Sequence, residues 1–197
     1  MNPAIPKNRL EAFSDGVLAI IITIMVLELR APRGTDLHAL KPLVPVLLTY
    51  VLSFVYIAIY WSNHHHLLCA AKFINGKIMW ANLLLLFWIS LVPFATAWLG
   101  ESHDASWPTA VYGIVLLMAG LSYILMQTCL VQSHGKNSSL AQALGKDWKG
   151  KISLMTYAVA ILLAFVNPWI SDTLYLGVAL MWLSPDSRLE KLAPSVK

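Results

Sequence analysis

Charged residues are what this sequence has least of. Only 12% of its 197 residues are Asp, Glu, Lys or Arg, against about 25% in a soluble domain. Hydrophobic residues make up 58%, and the mean hydropathy is +0.65. A water-soluble core of this length has no place for so much apolar surface, whereas a bilayer absorbs it. Cysteine is scarce too: Cys69 and Cys129 lie far apart with no ligand spacing, which speaks against a disulfide framework or a metal site. No glycine-rich phosphate loop, serine–histidine pairing or paired carboxylates stand out, so an enzyme is not expected and no cofactor is implied. No small-residue cleavage site ends the first apolar run, so no removable signal peptide is expected. No internal repeat is visible. The net charge of +4 would raise nucleic acid as a partner for a soluble chain. Here the basic residues sit between apolar runs, where they set membrane orientation instead.

What is present is a series of apolar segments, over residues 12–29, 43–61, 78–99, 109–131, 152–166 and 169–183. A spanning helix needs about 20 residues, which the second, third and fourth meet with ease. The last two are short and divided by Asn167-Pro168. Proline cannot continue a helix without losing a backbone bond, so a tight hairpin of two short helices is predicted rather than one long kinked helix. The expected fold is an all-α membrane protein of six transmembrane helices forming one domain over 1–197. Charge supports the count. Lys7, Arg9, Lys72, Lys77, Lys136, Lys146, Lys149, Lys151, Arg188, Lys191 and Lys197 fall on one side of six spans. The other side holds Arg30, Arg33 and Lys41, together with Glu101, Asp104 and Asp172. The positive-inside rule then places both termini in the cytoplasm of a multi-pass plasma-membrane protein. Trp61, Trp80, Trp98, Trp107, Trp148 and Trp169 lie near segment ends, as an interfacial aromatic belt requires. The polar stretch 133–150 is the longest expected connection.

The first segment carries the functional signal. Ser14 or Asp15 could cap the start of its helix, leaving Ile20 to Leu29 as a plain lipid-facing run. Against that reading, Asp15 abuts an apolar run, where acids are usually paired or functional. Arg9 is six residues away and off the same helix face, so each needs a partner elsewhere. Ile20, Ile24 and Leu27 recur at i, i+4 and i+7, one helical stripe, with the hydroxyl of Thr23 beside it. Several copies of this helix around an axis would stack that stripe into apolar rings, which gate ions by dewetting.

The run Arg9-x-x-x-Phe13-Ser14-Asp15 resembles the R-x-x-x-F-S-D signature of the TMEM175 family of potassium channels. The likeness extends through the isoleucine-rich run to Met25-Val26-Leu27-Glu28-Leu29. Trp61-Ser-Asn-His64-His65-His66 is similar to the family's W-x-x-H-H block, and the segment from Asn82 to Thr96 resembles the family's third helix. The resemblance is strong over the first half of the chain and rests on helix count in the second. It implies a single-repeat, homotetrameric channel for potassium, the permeant ion, without a TVGYG carbonyl filter. Four first helices would line the pore, Ile20, Ile24 and Leu27 would form its hydrophobic constriction, and Thr23 would be a pore-side polar group. Arg9, Phe13, Ser14, Asp15, Trp61, Asn82 and either His64 or His65 would belong to the network that anchors the pore helix. His66 stands where relatives often carry a basic residue.

Other motifs weigh less. Thr109-Ala-Val-Tyr112-Gly113 loosely matches a TVGYG filter but starts an unbroken apolar helix, whereas such a filter needs irregular backbone. Three consecutive helical histidines point about 100° apart and cannot converge on one metal ion; a hydrogen-bonded cluster fits better. Glu28 would either enrich cations at the outer mouth or simply pair with Arg30. The rival function is a proton-coupled secondary transporter relaying protons through Asp15 and His64–His66. The inverted repeats and interrupted helices of such carriers are not evident in this chain.

Overall fold

A bilayer offers the backbone no hydrogen-bond partners, so long apolar segments must satisfy their own amides as helices. The computed structural model describes residues 6–135, 138, 140–141 and 147–184, and all the regular elements among them are helical. They are α1 (Lys7–Leu27), a 3-10 helix (Leu37–Leu43), α2 (Val44–Cys69), α3 (Gly76–Ser90), α4 (Val92–Glu101), α5 (Ser106–His134), α6 (Trp148–Leu163) and α7 (Pro168–Leu183). Pro45, Pro93 and Pro168 fall in first turns, where the missing N–H costs no helical bond.

Several boundaries differ from those expected. Helix α1 begins after Pro6, so Ser14 and Asp15 lie two turns inside it and neither caps it. Helix α2 continues two turns past residue 61 and carries all three histidines. The third apolar segment is two helices meeting at Leu91, because Pro93 has no N–H to give the carbonyl of Ile89. The predicted hairpin is present: Asn167 caps α7, its side chain accepting the Trp169 N–H at 3.0 Å, and α6 packs against α7. Helix α5 runs unbroken from Ser106 to His134, so Thr109–Gly113 is regular helix.

Among the described residues, four segments are long and apolar enough to cross a membrane: Lys7–Leu27, Leu37–Cys69, Gly76–Glu101 and Ser106–His134. Helices α6 and α7 have 16 residues each, about 24 Å at 1.5 Å per residue.

Contacts between successive segments fix the two ends of the bundle. At one end Lys7 Nζ donates to the Cys69 carbonyl at 3.2 Å. Asn75 donates to Ser133 Oγ at 2.8 Å, and Lys149 Nζ to the Ser184 carbonyl at 2.9 Å. His134 accepts the Lys72 N–H at 3.0 Å. At the other end Arg30 meets Glu101 at 3.9 Å, and the rings of Trp107 and Phe165 meet edge to face. Lysines 7, 72, 77, 149 and 151 thus share one end with Arg9. The expected basic residues Lys136, Lys146, Arg188, Lys191 and Lys197, and part of the connection 133–150, lie outside the described residues.

Polar side chains stitch the interior, where water is not available to compete. Thr96 Oγ1 donates to Ser53 Oγ at 2.7 Å, and Ser53 shares a 2.9 Å hydrogen bond with the Tyr112 hydroxyl. Tyr56 donates to the Tyr175 carbonyl, and Tyr175 to the Thr109 carbonyl. These bonds tie α2, α4, α5 and α7 together at one level. Gly113 is part of this level: a Cβ there would collide with the Tyr175 hydroxyl and with Ile161.

Candidate pore-lining helix and its polar anchor

Helix α1 has two faces. Leu10, Ser14, Leu18, Ile21 and Met25 are buried at spacings of three or four residues, which packs them against α2, α3 and α4. The opposite face is apolar and bare within the single chain: Phe13 is 53% exposed, Ile20 59%, Ile24 41% and Leu27 80%. An exposed apolar stripe of this length requires either lipid or another copy against it. Thr23 is exposed beside the stripe, and its hydroxyl donates to the Ile20 carbonyl at 2.8 Å. Its proton is thereby engaged, and its oxygen can still accept a hydrogen bond.

The buried face is locked by a chain of hydrogen bonds. Ser14 Oγ donates to the Leu10 carbonyl at 2.8 Å and accepts from Asn82 Nδ2 at 3.0 Å. The Asn82 Oδ1 lies 2.6 Å from His64 Nε2. An amide oxygen can only accept, so His64 carries its proton on Nε2. Ser14 and Asn82 are fully buried and His64 is 2% exposed. One residue from each of α1, α2 and α3 thus meets in a water-free place, where leaving any of them unpaired is costly.

A second link lies outside the first. Trp61 Nε1 donates to Asp15 Oδ1 at 3.0 Å, and His65 stacks on the Trp61 ring at 6.1 Å and 23°. His66 meets His65 edge-on. The structure therefore gives both candidate histidines a place: His64 bonds Asn82, and His65 supports Trp61. Among the described residues no group of three His, Cys, Asp or Glu side chains converges as a metal site would need. The thiols of Cys69 and Cys129 are both free.

Arg9 and Asp15 do not meet. Arg9 is exposed and has no ion pair among the described residues of its own chain. It continues the line of Phe13, Ile20 and Leu27, since eleven residues return a helix almost to the same azimuth. Glu28 does not pair with Arg30, whose carboxylate neighbour is Glu101. Sequence reasoning missed the Thr96–Ser53–Tyr112 chain and the Lys7 clasp. The only signal for the first was a hydroxyl on each of several apolar helices.

The sequence model of a family described as endosomal/lysosomal potassium channel TMEM175 matches residues 9–93. A potassium channel of Chryseobacterium sp. (strain P1-3) is 51% identical over 185 residues, covering 94% of this chain and 96% of that protein. The crystal structure of a lysosomal potassium-selective channel TMEM175 homolog from Chamaesiphon minutus superposes with a TM-score of 0.77 at 28% identity, covering 90% of this chain and 96% of that one. The Mus musculus protein named endosomal/lysosomal proton channel TMEM175 is 26% identical over 183 residues, covering 84% of this chain and 37% of the mouse protein.

Proposed function

Since this chain belongs to the TMEM175 family of potassium channels, we propose that it is a homotetrameric potassium-selective leak channel whose four α1 helices line the pore. The family is one of ion channels rather than enzymes, and potassium is its permeant. The observation that carries the reading is the exposed stripe Ile20–Ile24–Leu27 on a helix whose opposite face is anchored through Ser14, Asn82 and His64. Four such stripes around an axis make three stacked apolar rings. Methyl groups cannot replace water around a potassium ion, so ions cross the rings with much of their hydration, and a narrow ring closes by dewetting. Selectivity is accordingly modest, with the Thr23 oxygen available to the hydration shell between rings. Arg9, Phe13 and Asp15 hold the pore helix: Asp15 through Trp61 of its own chain, Arg9 through a neighbouring subunit. Six spans, with α6 and α7 crossing a locally thinned bilayer, put both termini on the cytoplasmic side of the plasma membrane.

Purified protein in potassium-loaded liposomes tests this. Flux should run to the potassium potential without a proton gradient. Ile20→Asn and Leu27→Asn should each raise flux or lower the preference for potassium over sodium. Ile21→Asn, on the buried face, should lower the yield of folded protein instead. If both pore-side variants keep wild-type flux and reversal potential, the rings are not the constriction. The proton-coupled transporter reading, through Asp15 and His64–His66, draws on an exposed Asp15 whose partner Trp61 stacks on His65. It requires that flux stop when the proton gradient is collapsed, and that Asp15→Asn abolish it.

A further inference from the structure

Between α3 and α5, at the lysine-rich end, lies an open cleft of about 740 Å³, within the size range of small-molecule sites. Its long axis has a polarity gradient. Lys77, Gln132 and Ser133 stand at the end of the bundle, while Leu84 and Leu125 lie about two turns further in. Trp80 is 68% exposed at the boundary between the two parts, where an indole bridges water and hydrocarbon. Among the described residues no carboxylate lines the cleft. Ser133 Oγ accepts a hydrogen bond from Asn75, which leaves its own O–H as a donor.

The cleft lies away from α1. Lys77, Trp80 and Leu84 share the face of α3 opposite Asn82, and Asn82 is the residue that bonds α1. Leu84 and Leu125 are each about two-fifths exposed, so the inner part presents hydrocarbon to hydrocarbon. A cationic and hydroxyl-bearing end, an indole at the boundary and an apolar inner part match the order of groups along a phospholipid. With a lysine and, among the described residues, no carboxylate to receive a choline or an ethanolamine, the match is to a lipid of net negative charge.

We propose that this cleft binds one anionic phospholipid of the surrounding bilayer per subunit, its phosphate at Lys77 and an acyl chain along Leu84 and Leu125. The proposal rests on the chain being embedded in a membrane but not on the pore reading.

Native mass spectrometry of the full-length protein, equilibrated with equal amounts of phosphatidylglycerol and phosphatidylcholine, tests it. The wild type should retain phosphatidylglycerol in preference. Lys77→Gln should cut that preference about fivefold, the factor one lysine carries at an anionic surface, and Lys77→Arg should restore it. Leu125→Trp, which fills the inner part, should lower retention of both lipids while the assembly keeps its mass. Lys151→Gln, at the same end but outside the cleft, should change nothing. The proposal is overturned if Lys77→Gln keeps the wild-type preference, or if Lys151→Gln loses as much of it. Displacement of the lipid by millimolar inorganic phosphate overturns it too, because the cleft then reads a free anion. So does loss of the assembly in Leu125→Trp, because the cleft then seats a second copy. Retained lipid is measured separately from ion flux, so failure here and failure of the channel reading are distinguishable.

Discussion

At the scale of single residues, three buried side chains decide how α1 is held. Ser14, Asn82 and His64 have no water to fall back on, so removing the middle one strands both neighbours. Asn82→Leu leaves an imidazole N–H and a serine oxygen unpaired. In membrane proteins such bonds are worth about 0.6 kcal/mol on average and up to about 1.7 kcal/mol. Two lost together should lower unfolding stability in detergent by about 1–3 kcal/mol. His64→Leu combined with Asn82→Leu should cost less than the sum, since each single change already breaks the shared 2.6 Å bond. A fully additive result in the double-mutant cycle would contradict the bond. The outer link through Trp61 and Asp15 is more exposed, so Trp61→Phe should cost less than Asn82→Leu.

At the scale of helices, close approach matters more than periodicity. Helices α5 and α7 come together where Gly113 faces the Tyr175 ring, and the Tyr175 hydroxyl reaches the Thr109 carbonyl at 3.1 Å. In a membrane, small residues allow backbones to approach where apolar surface gives no added attraction. Gly113→Ala forces the tyrosine or α7 aside, a small-to-large change of the kind that costs about 1–3 kcal/mol. Its helical propensity gain of about 1 kcal/mol does not offset a displaced buried hydroxyl. The melting temperature should therefore fall, and Tyr175→Phe in the same background should recover part of the loss. A rise in melting temperature for Gly113→Ala would mean that α5 and α7 stand further apart. The break at Leu91 belongs to the same scale: Pro93 removes one bond and lets α4 lean toward α2, where Thr96 meets Ser53.

At the scale of the whole molecule, the bare face of α1 is the surface that the proposed assembly would cover. Leu27 is 80% exposed, and the proposed tetramer would bring four Leu27 side chains within reach of each other around one axis. With Cys69 and Cys129 replaced by serine, Leu27→Cys should give disulfide-linked dimers on mild oxidation in membranes. It should also lose potassium flux when a bulky thiol reagent is added. Val166→Cys, 76% exposed on the α6–α7 hairpin, should do neither. Cross-linking through Val166 with none through Leu27 would put the hairpin, not α1, at the centre.

Much of this protein was legible in one dimension because the relevant physics is local. Composition alone requires a bilayer, Asn167-Pro168 alone requires a turn, and the spacing of Ile20, Ile24 and Leu27 alone puts them on one face. The signature from Arg9 to Asp15 pointed to a family that the wider comparisons then established. Other features depended on how helices turn toward one another, which no single segment specifies. The start of α1 at Lys7 was hidden because polar first turns look like loop until tertiary contacts hold them, as Lys7 does at Cys69. Which of His64 and His65 meets Asn82 and which meets Trp61 turned on the rotation of α2, since neighbouring residues point about 100° apart. Arg30 meets Glu101 rather than Glu28 because two chain segments end at the same level. Periodicity fixes which residues share a face of a helix, but packing against the other helices fixes where that face points.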